Sequence, residues 1–484
     1  MSDLPSRLPS ESELAEVEAL LSKGPPTLAL QFRQAVLLHN LGRLDEAKAV
    51  YLGILKIDST HLPLLNNFAS LLHEMEFRRA AITVYERILQ LYPDQAACHV
   101  NLANVLWDHA DHAGALLHYQ AALGIDPDCI QAHQGMTCAL LELRQDKAAW
   151  VHGQKGFALR PIQVLPYRGN REPISVLVLI SVAGGNTPLR KAIDNRVFMT
   201  TLLATEFHDS KASIPAHQVV WNAIGDAERC GKALAIAENL LKNAIVPIIN
   251  RPEIMSATGR VDNARQLTRI KNLLIPKTVR IRRKVLERND IRATLEALGF
   301  GFPFLLRAQG FHGGKHFMKI DGFGDLTAAL ESMPGREFSV IQFLDTRGAD
   351  GKYRKYRVMV IDGKFYPLHA AVSSNWKIHY FSADMAENAE HRNEDGIFLS
   401  DMPRVLGHAA MQTIADIRDA LRLDYFGIDF SLTTGGEVVF FEANATMNIV
   451  QPEAGEKWDY RRTAVQKALD AVTSMLLSRI KAAS

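Results

Sequence analysis

One spacing constrains this chain more than its composition does. Pro93, Pro127 and Pro161 stand 34 residues apart, and so do Ala35, Ala69, Ala103 and Thr137. Tyr51, Tyr85 and Tyr119 keep the step, as do Ala47, Ala81, Ala115 and Ala149. Columns this regular mean one supersecondary unit stacked on copies of itself. A small residue in each of two paired helices lets them approach, and an aromatic fills the next gap. Proline closes the second helix because it cannot continue it. The apolar residues between fall at helical spacing, as in Leu62, Leu65, Phe68, Ala69 and Leu72.

The period and its pattern resemble tetratricopeptide repeats over residues 26–161, behind a lead of residues 1–25. The first and last repeats are less regular, as end repeats are. The resemblance implies a concave face for a peptide or protein partner; the other reading is a brace or a dimer contact. Cys129, His133 and Cys138 fall at helical positions of one repeat, without the second ligand pair a metal site needs. His109, His112 and His118 read as helix-surface or inter-helix residues.

At 484 residues the chain has room for about three domains. It is 47% apolar and 22% charged, which suits a globular protein rather than a disordered one. The net charge is 55 − 53 = +2, so no basic excess drives binding to nucleic acid or an anionic membrane. The longest apolar runs, such as Val176–Ile180 and Ala244–Ile249, fall far short of the roughly 20 residues of a membrane span. The first residues show no signal-peptide pattern. Four cysteines without a CxxC pair point to a reducing compartment. The expected location is cytoplasmic.

Pro161, Pro166, Gly169 and Pro173 mark a linker, after which the pattern changes. Val176–Ile180, Gln218–Trp221 and Val246–Ile249 read as strands, and residues 229–242 as a helix, so residues 170–250 suggest a small parallel-sheet domain. The turn Ala183-Gly-Gly-Asn186 is not a dinucleotide-binding turn. Gly310-Phe-His-Gly-Gly-Lys315-His316 is one residue short of a P-loop and lies between two strands, Pro303–Arg307 and His316–Ile320. It reads as a glycine-rich hairpin loop, which is either a plain turn or a loop whose N–H groups approach phosphates. Near the end, Phe426–Leu432 and Glu437–Phe441 read as a hairpin turned at Thr433–Gly436. Glu442 and Asn444, two residues apart, share a face, and the hairpin can bring Asp429 onto it. Two carboxylates and an amide oxygen suit magnesium held with nucleotide phosphates. The alternative, solvated polar residues at a strand end, fits poorly with the apolar run Val438–Phe441.

Residues about 246–450 resemble ATP-grasp ligases, in the branch of glutathione synthetase and ribosomal-protein glutamate ligase. The motifs are Asn250-Arg-Pro-Glu with Thr258-Gly-Arg260, Phe302–Arg307, His312-Gly-Gly-Lys315, Ile341–Asp345, Lys355-Tyr-Arg357, Gly427-Ile-Asp429 and Phe441-Glu442-Ala-Asn444. The implied fold is multidomain. An all-α tetratricopeptide solenoid is followed by an α/β pre-ATP-grasp domain (170–250) and an α+β ATP-grasp domain with a C-terminal helix (251–484).

In that resemblance Asp429, Glu442 and Asn444 hold Mg²⁺ (or Mn²⁺) bridging ATP phosphates. Gln342, Phe343 and Leu344 form the adenine linker, and Asp345 takes the ribose. His312, Gly313, Gly314 and Lys315 close over the phosphates, and Arg357 is the catalytic cation facing the transferred phosphate. Relatives commonly carry lysine where Arg260 and Arg307 stand against the phosphates; Lys315 or Lys319 can instead supply an ammonium. The implied activity is an ATP-dependent carboxylate–amine ligase working through an acyl phosphate, with the array recruiting a peptide or protein and a small-molecule acid or amine as co-substrate. The alternative is a non-catalytic, nucleotide-binding scaffold. Ligases of this fold often dimerise. His369–Tyr380 reads as a strand or an acceptor pocket, with His379 a candidate base, and the run Arg280–Lys284 as a solvated face or an anion contact. The last helix, about 459–481, reads as a cap on its domain or an interface.

Overall fold

The structure, a computed structural model, describes residues 11–209, 213–308, 314, 316–378, 383–452 and 455–483, without the side chains of residues 260 and 261. The N-terminal part is helical throughout. α1 (Glu11–Lys23) is followed by four hairpins: α2/α3 (Leu28–Asn40, Leu44–Leu55), α4/α5 (Leu62–Glu74, Arg78–Leu91), α6/α7 (Ala96–Asp108, His112–Ile125) and α8/α9 (Ile130–Glu142, Asp146–Gly156). The alanine/threonine and tyrosine columns are interior, while the prolines that close the repeats lie at the surface. The alanines are at most 1% exposed, Thr137 is 1% exposed, and Tyr51, Tyr85 and Tyr119 are at most 3% exposed. The glycine at 135 lies flat under Tyr119, where a Cβ would run into the ring. The lead is not featureless: α1 buries Leu14 and Val17 against the first hairpin.

The remainder holds three sheets. The first contains β1 (Ile162–Val164), β2 (Ile174–Ile180), β3 (Phe198–Ala204), β4 (Val219–Asn222) and β5 (Ile248–Ile249), in the order β1-β3-β2-β4-β5. All its pairs are parallel except the edge pair β1–β3. The parallel pairing expected from the sequence is present. The strand expected at Val246–Ile249 is only two residues long, and β3 escapes the sequence reading because two threonines dilute its apolar run. The second sheet contains β7 (Thr278–Arg282), β8 (Phe304–Ala308), β9 (Phe317–Ile320) and β10 (Glu337–Gln342), all antiparallel. The third contains β6 (Leu273–Leu274), β11 (Tyr353–Ile361), β12 (Lys364–Ser373), β13 (Tyr425–Leu432) and β14 (Val438–Asn444), in the order β12-β11-β13-β14-β6.

The first and third sheets share their cores. Leu177 and Val220 pack with Phe426 and Phe430, and Trp221 packs with Met359 and Tyr425. The helix Arg462–Ala483 joins the second of these cores through Val465, Val472, Met475 and Leu476, so it caps the sheets. Asn250 forms the joint. It sits in the left-handed region (φ 54), which Asn tolerates better than most residues. Its Nδ2 donates to Tyr425 O (2.7 Å), and its Oδ1 accepts from the N–H groups of Asp424 and Tyr425. The second sheet has a core of its own around Phe304, Leu306, Ile320 and Phe338.

The array is bolted to the sheets. Arg168 pairs bidentately with Glu74, Lys191 with Glu76 (2.8 Å) and Arg229 with Glu142 (2.7 Å). Phe207 stacks on Trp150 (4.8 Å) and fills the space left by Gly153. Among the described residues no helix is long and apolar enough to cross a membrane.

Candidate functional site

Strand alternation builds the site. On β11, Tyr356 and Val358 enter the apolar core, so Lys355 and Arg357 project to the other face. The register sets Arg357 opposite Asp429 on β13, and Asp429 opposite Glu442 on β14. Asn444 stands opposite Gly427. A register shift between Asp429 and Phe430 bends the β13–β14 ladder at this point, a feature that re-aims side chains. The hairpin expected from the sequence is thus present, with Asp429 paired with Glu442 and Asn444 two residues further along the same strand.

The Asp429 side chain is 2% exposed. Arg357 holds it with two bonds, Nε to Oδ1 (2.7 Å) and Nη2 to Oδ2 (2.8 Å), and Lys355 Nζ adds a third to Oδ2 (3.0 Å). Burial alone would raise the carboxyl's pKa. The bidentate guanidinium and the ammonium outweigh that and hold it well below the usual carboxylate range. For Arg357, burial favours the neutral form, but the bond to Asp429 and the charge of Glu442 keep it cationic. His369 faces Arg357 from β12, buried, and burial with that neighbouring cation keeps the ring neutral. Two cations and two carboxylates balance formally on one sheet face. Lys355 is the partner that sequence reasoning quoted without a role; its offset of two from Arg357 on a strand was the available signal.

The other expected residues lie on, or just beyond, the central strands of the second sheet. Gln342 closes β10, its N–H donating to Lys277 O (2.8 Å) and its Oε1 accepting from Lys277 N. Phe343 lies edge-on to Trp376 (6.4 Å) with Lys319 Nζ over its ring (4.8 Å). Leu344 is half-buried, while Asp345 is exposed and takes Arg347 bidentately. On β8, Arg307 lies over Phe317 (5.8 Å), and Phe317 in turn meets Trp376 (5.3 Å). Trp376, just past β12, therefore joins the third sheet to both the hairpin and the linker. β8 and β9 pair as the expected hairpin. Gly314 in its loop has φ +73, and a Cβ there would press on Lys377. His312, Gly313, Lys315 and His379 lie outside the described residues, as does the side chain of Arg260, which opens the helix Arg260–Leu267. In the basic run, Arg283 is structural rather than solvated: it donates to the carbonyls of Leu330, Met333 and Gly335 and covers Phe338.

Among the described residues no group of three His, Cys, Asp or Glu forms a metal site. The set at issue is smaller, two carboxylates and an amide. Its donors are all hard oxygens of the kind Mg²⁺ takes. Asn444 Oδ1 is oriented by Thr446, accepting from its N–H (3.0 Å) and hydroxyl (2.8 Å). Glu442 is half-buried beside it. By donor chemistry the residues fit a small divalent cation.

Comparison with known proteins places the repeats. The tetratricopeptide repeat family matches residues 28–61 and 67–128, so the N-terminal array consists of tetratricopeptide repeats. No curated protein matches the chain. Among solved structures, MamA from Desulfovibrio magneticus RS-1 is 20% identical, over 30% of this chain and 82% of its own, with a TM-score of 0.28. The VanG D-Ala:D-Ser ligase from Enterococcus faecalis is 14% identical, over 63% of this chain and 99% of its own, with a TM-score of 0.38. Both likenesses are too loose to bear on activity.

Proposed function

We propose that the three-sheet half is an ATP-grasp ligase that joins a carboxylate to an amine at the expense of ATP. One observation carries the reading. Lys355, Arg357, Asp429, Glu442 and Asn444 are gathered from three neighbouring strands onto one face. This is a fixed cationic and hard-oxygen surface. In the proposed reaction a substrate carboxylate oxygen attacks the γ-phosphorus of ATP and ADP leaves, giving an acyl phosphate. The amine attacks the acyl carbon, phosphate leaves with the C–O bond, and the amine loses a proton.

This chain's residues stabilise charge as it moves. Arg357, locked by Asp429, presents a preorganised guanidinium to the transferred group. Gln342, Phe343 and Leu344 would hold the base, Asp345 the ribose, and Arg260, Arg307, His312, Gly313, Gly314 and Lys315 the phosphates. Glu442 and Asn444, with Asp429, would hold Mg²⁺, which when bound screens the phosphate charge. The repeats would bring a peptide or protein substrate.

Thermal unfolding with Mg²⁺ and a non-hydrolysable ATP analogue tests the reading. A ligand at about 100 times its dissociation constant adds about 2.7 kcal/mol. The shift should need magnesium and vanish in Glu442→Ala. No shift with any nucleotide would overturn the proposal in favour of a scaffold.

A further inference from the structure

Two successive repeats carry the same polar pair. His39, next to last in α2, lies 3.2 Å from Glu74 at the end of α4, Nε2 to Oε2. His73, next to last in α4, lies 3.0 Å from Asp108 at the end of α6, Nε2 to Oδ2. Both members advance by one repeat of 34 residues, so the second pair is a copy of the first. The copies differ in one respect. Arg168, from the segment between β1 and β2, closes the first pair, its Nη1 and Nη2 donating to the two oxygens of Glu74. Among the described residues no lysine or arginine reaches Asp108, and nothing donates to its Oδ1. Exposure follows suit: the Glu74 side chain is 27% exposed and that of Asp108 46%.

The carboxylates belong to a column. Glu74, Asp108 and Glu142 are the last residues of α4, α6 and α8. A helix C-terminus is the negative end of its dipole, so a carboxylate there is unfavourable until a cation joins it. Glu74 has Arg168, and Glu142 has Arg229 at 2.7 Å. Asp108 has an imidazole, with one N–H to offer against the five of a guanidinium. The column also fixes direction. Equivalent positions of stacked repeats leave the array on the same side. Glu74 and Glu142 both reach the three-sheet half, so Asp108 lies on that side too, midway between the two ion pairs.

Given the reading that the repeats bring in a peptide or protein substrate, on which this rests, we propose that Asp108 and His73 form a docking notch for an arginine side chain of that partner. The filled copy shows why arginine suits it. At Glu74 the histidine keeps Oε2, while the guanidinium spans Oε1 and Oε2. Sharing a carboxylate in this way takes a planar fork of donors, which lysine lacks. In the notch His73 keeps Oδ2, and the incoming guanidinium takes Oδ1 and shares Oδ2. A partner seated there is held on the side of the array that faces the sheets.

The probe is the peptide acetyl-Gly-Gly-Arg-Gly-Gly-amide, titrated into the full chain and followed by ¹⁵N NMR of the histidine side chains at neutral pH. A control peptide carries citrulline in place of arginine, which keeps the shape and removes the charge. The His73 signals should shift saturably with the arginine peptide, and the citrulline peptide should bind several-fold more weakly. Asp108→Asn should weaken the arginine peptide to the level of the control. His39 should stay silent in the wild type, because Arg168 fills its pair, and should respond as His73 does in Arg168→Ala. A silent His73, equal responses to arginine and citrulline, a response untouched by Asp108→Asn, or a His39 still silent without Arg168 overturns the notch. Shifts confined to other histidines of the array would overturn the notch while leaving a recruiting array in place. No nucleotide is present, so a failure of the ligase reading would not alter the result.

Discussion

The array and the three-sheet half bury their residues by opposite routes. In the array, partners come from the same or the next repeat: Tyr119 OH donates to Asn104, fifteen residues away, and Tyr85 packs within the core of adjacent hairpins. In the sheets, Asp429 is held by residues more than 70 positions earlier, and Asn250 ties to Tyr425 across 175. Local contacts repeat and can be averaged over copies. Each long-range contact exists once. A lost contact in the array should therefore be absorbed by neighbouring repeats, whereas one in the site should be felt throughout.

The sharpest test of that difference is Asp429→Asn. It leaves Arg357 and Lys355 facing a neutral amide in a buried site, and breaking a buried pair costs about 3–5 kcal/mol. Urea denaturation should show a loss of that size, together with loss of any nucleotide-dependent stabilisation. Next comes Gly135→Ala, which forces Tyr119 aside; overpacking of this kind costs about 1–3 kcal/mol. Its effect on hydrogen exchange should stay within α6–α9, and spread into the sheets would break the comparison. Acid sharpens it further. Burial would raise the pKa of Glu74, but His39 and Arg168 bring it down to about 2, below its unfolded value. The unfolded chain then binds more protons, so this contribution is present above about pH 4.5 and fades as pH falls toward 2. Glu74→Gln should flatten the wild-type stability profile in that window. The smallest effect is expected of Arg347→Ala, whose guanidinium and partner Asp345 are exposed; its melting temperature should match wild type.

The same contrast explains what the sequence made legible. The repeat columns were readable because each is sampled several times, and the alanine and tyrosine columns are interior. In the sheets, β2, β4, β8, β13 and β14 were readable from apolar runs and turns. The pairing of Asp429 with Glu442 followed from a single tight hairpin. Lys355 and Arg357 could be quoted but not paired with Asp429, because nothing local encodes which strand lies beside β11. β3 was missed because its two threonines dilute the apolar run.

The clamps along the array carry a mechanical consequence. Glu74–Arg168 and Glu142–Arg229 grip it at two points two repeats apart, so it cannot swivel against the sheets as a tethered arm would. A chain captured on such a fixed rail reaches the sheets with only its own slack. Its effective concentration there is set by the length of its free tail: negligible when the tail is too short to span the gap, greatest when its natural span matches, and falling as the tail lengthens. If the array recruits a peptide or protein as proposed, it would act as a ruler that selects by length as well as by sequence.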